Sequence, residues 1–271
     1  MRVAALSLKP LIMLTNDDGI ASPGLLALIH AVRTLGDLLV VAPQFQQSAT
    51  SRSYRQQPGI TEIRTLTVDG AELTAYSIDA TPAQTVRNGI LRFAPRTPDL
   101  IISGINYGEN VGAGLTVSGT VGAAWEGAAM GVPALAVSLE VEVEHHFSHS
   151  DAVEFQIAAR IAQRFAEAVL TNGLPPGVEI VNINIPDHAT LDTPWRLTRV
   201  SSYSHYHSIV AENEQGEKVL TGYHRQLDFD KVEENSDIYV LFKEREVSVT
   251  PITTDCTAHT DPDLIRQRLP L

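Results

Sequence analysis

Two adjacent carboxylates, Asp17 and Asp18, stand between Asn16 and Gly19, directly after the apolar run 11–15. Neighbouring side chains on a strand point to opposite faces. Both carboxylates can therefore reach one ligand only if the chain leaves the strand here, and Gly19 permits the turn. Adjacent carboxylates repel, and a cation keeps both ionised. Oxygen donors suit a hard divalent ion such as Mg²⁺ or Mn²⁺. The plainer reading of the same residues is an Asp-Asp-Gly turn with a helix cap. Three further segments bear on the choice. Ser48, with Ser51 and Arg52 close behind, offers a hydroxyl that can complete an oxygen sphere. Ser103-Gly104-Ile105-Asn106 follows another apolar run, and Asn106 offers either an amide oxygen to a metal or an amide N–H to a phosphate. Eight of the eighteen glycines fall between Gly104 and Gly131, a density that argues for backbone brought close to a ligand. Ser118, Gly119 and Thr120 then open a helix, and helix N-termini bind anions. Close packing of a small-residue helix accounts for Gly122, Gly127 and Gly131.

Familiar alternatives fail on their own terms. The spacing from Gly114 to Gly119 is that of a P-loop, but Thr120 stands where the lysine belongs. No Gly-x-Gly-x-x-Gly follows the first strand, and no Gly-x-Ser-x-Gly elbow exists. His145, His146 and His149 lack metal-ligand spacing and read as solvated surface. The single cysteine, Cys256, forbids an internal disulfide and has no activating motif around it.

The elements that must position these groups alternate in type. Residues 11–15 and 38–42 read as strands flanking a helix that Ser22 caps, Pro23 begins and Gly36 stops. The polar stretch 43–58 holds five Gln and is too long for an idle connection, so it suggests a binding loop or lid. Segments 60–68 and 72–78 flank Asp69-Gly70, a hairpin signal. Thr81-Pro82 opens a helix to 91. Residues 100–103 form a buried strand, 118–130 a helix and 132–138 a strand. Residues 151–170 form an amphipathic helix with Val153, Ile157, Ile161, Phe165 and Val169 on one face, and 179–185 a further strand. This alternation predicts an α/β fold: a doubly wound, mostly parallel Rossmann-like sheet over residues 1–186. Strands are then expected at 195–206, 218–223, 238–242 and 247–250. They give a C-terminal β-rich extension, with 187–235 used in oligomerisation and 236–271 returning to the core. Each of the four polar segments lies at or just after a core strand, where open α/β sheets bind ligands.

At 271 residues and 44% apolar, the chain is long enough for one large core. No apolar run approaches the roughly 20 residues of a membrane-spanning helix, and the first ten residues lack the features of a secretory signal. The expected compartment is the cytoplasm, with no membrane partner. A net charge of -12 opposes binding to a nucleic acid polymer. It does not oppose a small phosphorylated substrate, because a local cation or ring of N–H groups reverses the field within a pocket.

Taken together the segments resemble the SurE family of stationary-phase survival proteins, which are 5′/3′-nucleotidases. The resemblance is carried by Leu14-Thr-Asn-Asp-Asp-Gly-Ile20, Val41-Ala-Pro43 with Ser48 and Ser51, and Thr81-Pro82-Ala83. It continues through Ile102-Ser-Gly-Ile-Asn106, Ser118-Gly-Thr-Val-Gly-Ala-Ala124, Glu126-Gly127, Val181-Asn-Ile-Asn-Ile-Pro186 and Val247-Ser-Val-Thr-Pro251. It implies one divalent ion, Mg²⁺ or Mn²⁺, held by Asp17, Asp18, Ser48 and Asn106. It implies a phosphate site of Asn16, Ser103, Gly104, Asn106, Ser118, Gly119 and Thr120, and a homodimer or homotetramer. The activity it implies is hydrolysis of nucleoside 5′- and 3′-monophosphates, with Asp17 or Asp18 taking a proton from water and Asn16 helping to stabilise phosphoryl charge. Two other readings are a phosphatase for another small phosphomonoester or short polyphosphate, and a nucleotide-binding protein that does not hydrolyse. Departures from the family pattern are Gln84 where Asp is usual, Val117 where Tyr is usual, and no Asp between Asn110 and Val117.

Overall fold

A computed structural model describes residues 8–56, 59–146, 150, 152–258 and 260–269. Strands β1 (Leu11–Thr15), β2 (Asp37–Pro43), β3 (Thr61–Val68), β4 (Ala71–Ile78), β5 (Leu100–Tyr107), β6 (Ala134–Leu139), β7 (Ile180–Ile185), β8 (Trp195–Leu197) and β11 (Val247–Ile252) make one nine-stranded sheet. Its order is β3-β4-β2-β1-β5-β6-β7-β11-β8. The six strands from β4 to β7 are mutually parallel. β3 and β11 run antiparallel to their neighbours β4 and β7. β9 (Tyr206–Glu212) and β10 (Lys218–Arg225) pair only with each other.

The period of two decides which helices cover which face. Ile12 and Leu14 of β1 join the cluster containing Leu25, Leu28 and Ile29 of α1 (Pro23–Val32) and Ile161 of α4 (Gln156–Asn172). Leu11 and Met13 point the other way, into the cluster with Val86 of α2 (Pro82–Asn88) and Val121 and Ala123 of α3 (Gly119–Ala129). Helices on both faces make the sheet doubly wound, as the alternation predicted. The order reverses between β1 and β5, so the topological switch point opens at the ends of these two strands. Asp17 and Asp18 follow one, and Ser103 to Asn106 end the other.

Several local expectations change. β5 runs on to Tyr107, so Ser103 to Asn106 lie within the strand, where its register against β6 shifts between Ser103 and Asn106. Ser22 is the N-cap by position, but its hydroxyl makes no capping bond. α4 begins at Gln156, and its buried face is Ala158, Ile161, Ala162, Ala166 and Val169; Ile157 is exposed. The expected helix start at Asp151 lies outside the described residues, as do Pro58 and His149. The expected strand 195–206 shrinks to β8, because only three residues pair with β11. Residues 238–242 are helical: α5 (Asp237–Tyr239) continues into a wide turn over Val240–Glu244, capped by the Ser236 hydroxyl on Tyr239 N. A last helix, α6 (Pro262–Arg268), was not expected, and Leu264 and Ile265 on it are exposed. Among the described residues no helix is long and apolar enough to cross a membrane.

Candidate functional site

A cavity of about 310 Å³ opens at the switch point, at the small end of the range for small-molecule sites. Asp17, Ser48, Asn106, Ser118 and Gly119 form one part of its lining. Glu109, His146, His205, Tyr206 and Tyr223 form a second part and contact one another. The remaining expected residues lie behind the first part. Asn16 is fully buried, and its amide closes the turn after β1 by bonding both Gly19 O (2.9 Å) and Gly19 N (3.2 Å). Gly19 itself takes a φ of +97°, as the turn requires. Ser103 is buried with an unpartnered hydroxyl. Gly104 does not line the cavity; a Cβ there would stand 2.3 Å from Val137 O, so close packing of β5 on β6 demands glycine.

The carboxylates are held differently. Asp17 sits at the N-terminus of α3, where Thr120 donates its hydroxyl to Oδ1 at 2.6 Å and its backbone N–H as well. A Cβ on Gly119 would come within 2.7 Å of Asp17 Oδ2 and 3.0 Å of Gln47 O, which explains the glycine. Asp18 accepts from Gln46 Nε2 at 3.0 Å and Tyr107 N at 3.3 Å. Burial pushes the Asp17 carboxyl up to about 6 despite Thr120. Burial, and then the neighbouring charge of Asp17, pushes Asp18 well above the usual carboxylate range. Two buried, adjacent carboxylates in this state are matched to a cation. Ser48 and Asn106 line the same cavity as Asp17. Asn106 gives its Nδ2 to Gly108 O at 2.7 Å, which leaves Oδ1 as its donor atom for a ligand. The donor set is all oxygen and fits Mg²⁺ or Mn²⁺. Among the described residues no group of three or more His, Cys, Asp or Glu is placed to hold a metal.

Sequence reasoning missed much of the second part of the lining. His146 is buried rather than solvated: its Nδ1 meets Tyr223 Oη at 2.9 Å, and burial lowers its pKa. Glu109 is buried and receives His205 Nε2 (3.1 Å), Tyr206 Oη (2.5 Å) and Arg225 Nη2 (3.2 Å). Burial pushes Glu109 up, but these three partners outweigh it and hold the carboxyl below its ordinary range. Asn110 was also missed. Its backbone N–H is taken by Asn184 Oδ1 (2.7 Å), its carbonyl by Asn182 Nδ2 (2.8 Å), and its side chain reaches Ser138 (2.8 Å) and Thr120 (3.4 Å). Two asparagines in an otherwise apolar strand were the one signal for this web. Gln84, a departure from the family pattern, completes a capping box with Thr81 and donates Nε2 to Arg55 O at 2.7 Å. Cys256 is exposed and does not line the cavity.

Comparison with known proteins bears on the family and the fold. Residues 12–207 match the family model described as survival protein SurE. A 5′-nucleotidase SurE of Thermococcus gammatolerans is 42% identical over 261 residues, covering 95% of each chain. That of Methanocaldococcus jannaschii is 36% identical over 91% of this chain and 92% of its own. The crystal structure of the SurE protein from Aquifex aeolicus superposes with a TM-score of 0.77 at 29% identity, covering 96% of this chain and 99% of that one. With a family match over residues 12–207 and near full-length similarity in both sequence and fold, the chain belongs to the survival protein SurE family.

Proposed function

We propose that this chain is a metal-dependent phosphomonoesterase that hydrolyses nucleoside 5′- and 3′-monophosphates to nucleoside and phosphate. The observation that carries the reading is the mixed lining of the cavity: oxygen donors and a helix N-terminus in one part, a cluster of aromatic rings in the other. A phosphate suits the first part, and a flat base suits the second, since base–aromatic stacking is worth about 1–3 kcal/mol per base. A sugar phosphate or short polyphosphate leaves the rings unused. A binding protein that does not hydrolyse has no need for two buried carboxylates beside the phosphate end.

Asp17, Asp18, Ser48 and Asn106 would hold one Mg²⁺ or Mn²⁺. When bound, that ion neutralises phosphoryl charge and makes water a better nucleophile. Asp17 or Asp18 would accept a proton from attacking water. Gly119 N–H at the start of α3 stabilises charge that grows on the phosphoryl oxygens. Asn16 acts by fixing the turn that presents the carboxylates, and Ser103 and Gly104 by fixing the floor of the site. Oligomerisation into a homodimer or homotetramer through the C-terminal extension is supported by exposed Ile209, Val210 and Leu220 on β9 and β10. The test is a KM comparison of nucleoside monophosphates with ribose 5-phosphate at saturating Mn²⁺. A lower KM for nucleotides is expected; equal KM values would remove the case for a base site.

A further inference from the structure

Glu126 is a buried carboxylate that the proposed reaction does not use. It stands on α3 about two turns beyond the helix start, with its side chain fully shielded from solvent. Arg87 Nε of α2 donates to one oxygen at 2.7 Å and Arg52 Nε to the other at 2.8 Å. Tyr54 also bonds it, and Arg87 lies 5.3 Å over the Tyr54 ring. Arg52 and Tyr54 belong to the loop that carries Ser48. That loop lies flat on α3: a Cβ on Gly122 would stand 2.3 Å from Ser51 O, so this glycine admits the loop rather than the sheet. Ser51 N donates to Val117 O at 3.0 Å, and Gln47 N donates to Asp17 O at 2.7 Å. The segment also holds two non-glycine residues at positive φ, Ala49 (+58°) and Ser51 (+53°), which are uncommon for such residues and persist where surroundings hold them.

We propose that Glu126 is a positioning residue for the metal site: through Arg52 it clasps the loop against α3 and so presents Ser48 to the same ion as Asp17. The proposal rests on the metal reading given above. An arginine on a fully buried carboxylate is a strong, charge-assisted tie; without it the loop keeps the Tyr54 bond to Glu126, the Arg55–Asp79 ion pair and the Gln46 bond to Asp18, so the loop is loosened rather than released. The buried end of the clasp stays satisfied by Arg87 and Tyr54, so Arg52 can be changed without leaving Glu126 alone.

The experiment uses Arg52→Met and Arg52→Lys in the full chain, with Mn²⁺ binding measured by electron paramagnetic resonance and amide exchange measured without metal. Gly127→Ala serves as a control, because its Cβ would meet the Ile101 side chain in the core, away from the loop. Arg52→Met is expected to speed exchange at Gln47 and Ser51 and to weaken Mn²⁺ binding about tenfold, the order expected for one hydrogen bond to a charged group. Arg52→Lys recovers part of both, and Gly127→Ala changes neither. Unchanged exchange in Arg52→Met would overturn the clasp. Faster exchange with unchanged Mn²⁺ affinity would overturn its role at the metal site. Absence of Mn²⁺ binding by the unmodified chain would reject the metal reading itself, before any variant is compared.

Discussion

The tie between the β9–β10 hairpin and the core is concentrated on Glu109, and its strength can be worked out. Glu109 is fully buried and bonded by His205, Tyr206 and Arg225; Arg225 also donates to Val141 O at 2.8 Å. Removing one partner of a buried ion pair costs about 3–5 kcal/mol, because the other charge is left without compensation. Here Glu109 keeps two neutral-capable partners after Arg225→Met, so the lower end, about 3 kcal/mol, is expected. Glu109→Gln leaves Arg225 only 17% exposed and short of its main partner, at a similar cost. The double variant removes both orphaned charges and should cost less than the sum by about 2 kcal/mol, within the usual range for residues in contact. The assay is urea unfolding of the four proteins, with amide exchange in β9 and β10 reporting the local part. Strict additivity would refute the pairing. The pH dependence has a definite sign. The folded carboxyl lies below its ordinary range, so its contribution is complete above the unfolded pKa of about 4.3 and is lost as pH falls through the folded value. Acid should therefore loosen the hairpin in the natural chain, and Glu109→Gln should flatten that dependence.

Other perturbations have equally definite outcomes. Asp18→Asn removes one of two repelling buried carboxylates, so without metal it should melt no lower than the natural chain while losing turnover; calorimetry with chelator, beside an activity assay, checks both. Mn²⁺ at about 100 times its Kd should raise stability by about 2.7 kcal/mol, and chelator should reverse it. Gly119→Ala drives a Cβ into Asp17 and Gln47 O, and should abolish Mn²⁺ binding measured by titration. Tyr223→Leu should raise KM for nucleotides by about 5- to 150-fold, the equivalent of about 1–3 kcal/mol of stacking, with little change for ribose 5-phosphate.

The sheet was legible because its strands obey simple rules. Apolar runs ended in Gly, Asn and Asp, and Asp69-Gly70 took positive φ values of 49° and 80° at the tip of the β3–β4 hairpin. The residues of the proposed metal site carry a legible signature, because they cluster at strand ends in short polar motifs. Their division of labour was not legible. Asn16 and Gly104 have the composition of ligand groups, yet one closes a turn and the other admits a neighbouring strand. Gly131 likewise serves a turn, with φ +81° and open space around it, rather than helix packing. The second part of the cavity lining was hidden because it is assembled across long separations. Glu109 meets residues 96 to 116 positions away, and no local spacing announces such a partner. His146 looked solvated beside charged neighbours because its burial depends on Tyr206 and Tyr223 from a distant hairpin. At 238–242 an apolar run resembled a strand, and the Ser236 cap turned it into helix.

The measurement that tests the central claim most directly is phosphate release from nucleoside 5′- and 3′-monophosphates, with Mg²⁺ or Mn²⁺ and again with chelator, run beside Asp18→Asn. Release that needs the metal and vanishes in the variant is the predicted result. Release that survives chelation, or normal turnover by Asp18→Asn, would contradict the metal site, and no release from any nucleotide by the folded, metal-loaded chain would contradict the proposed reaction.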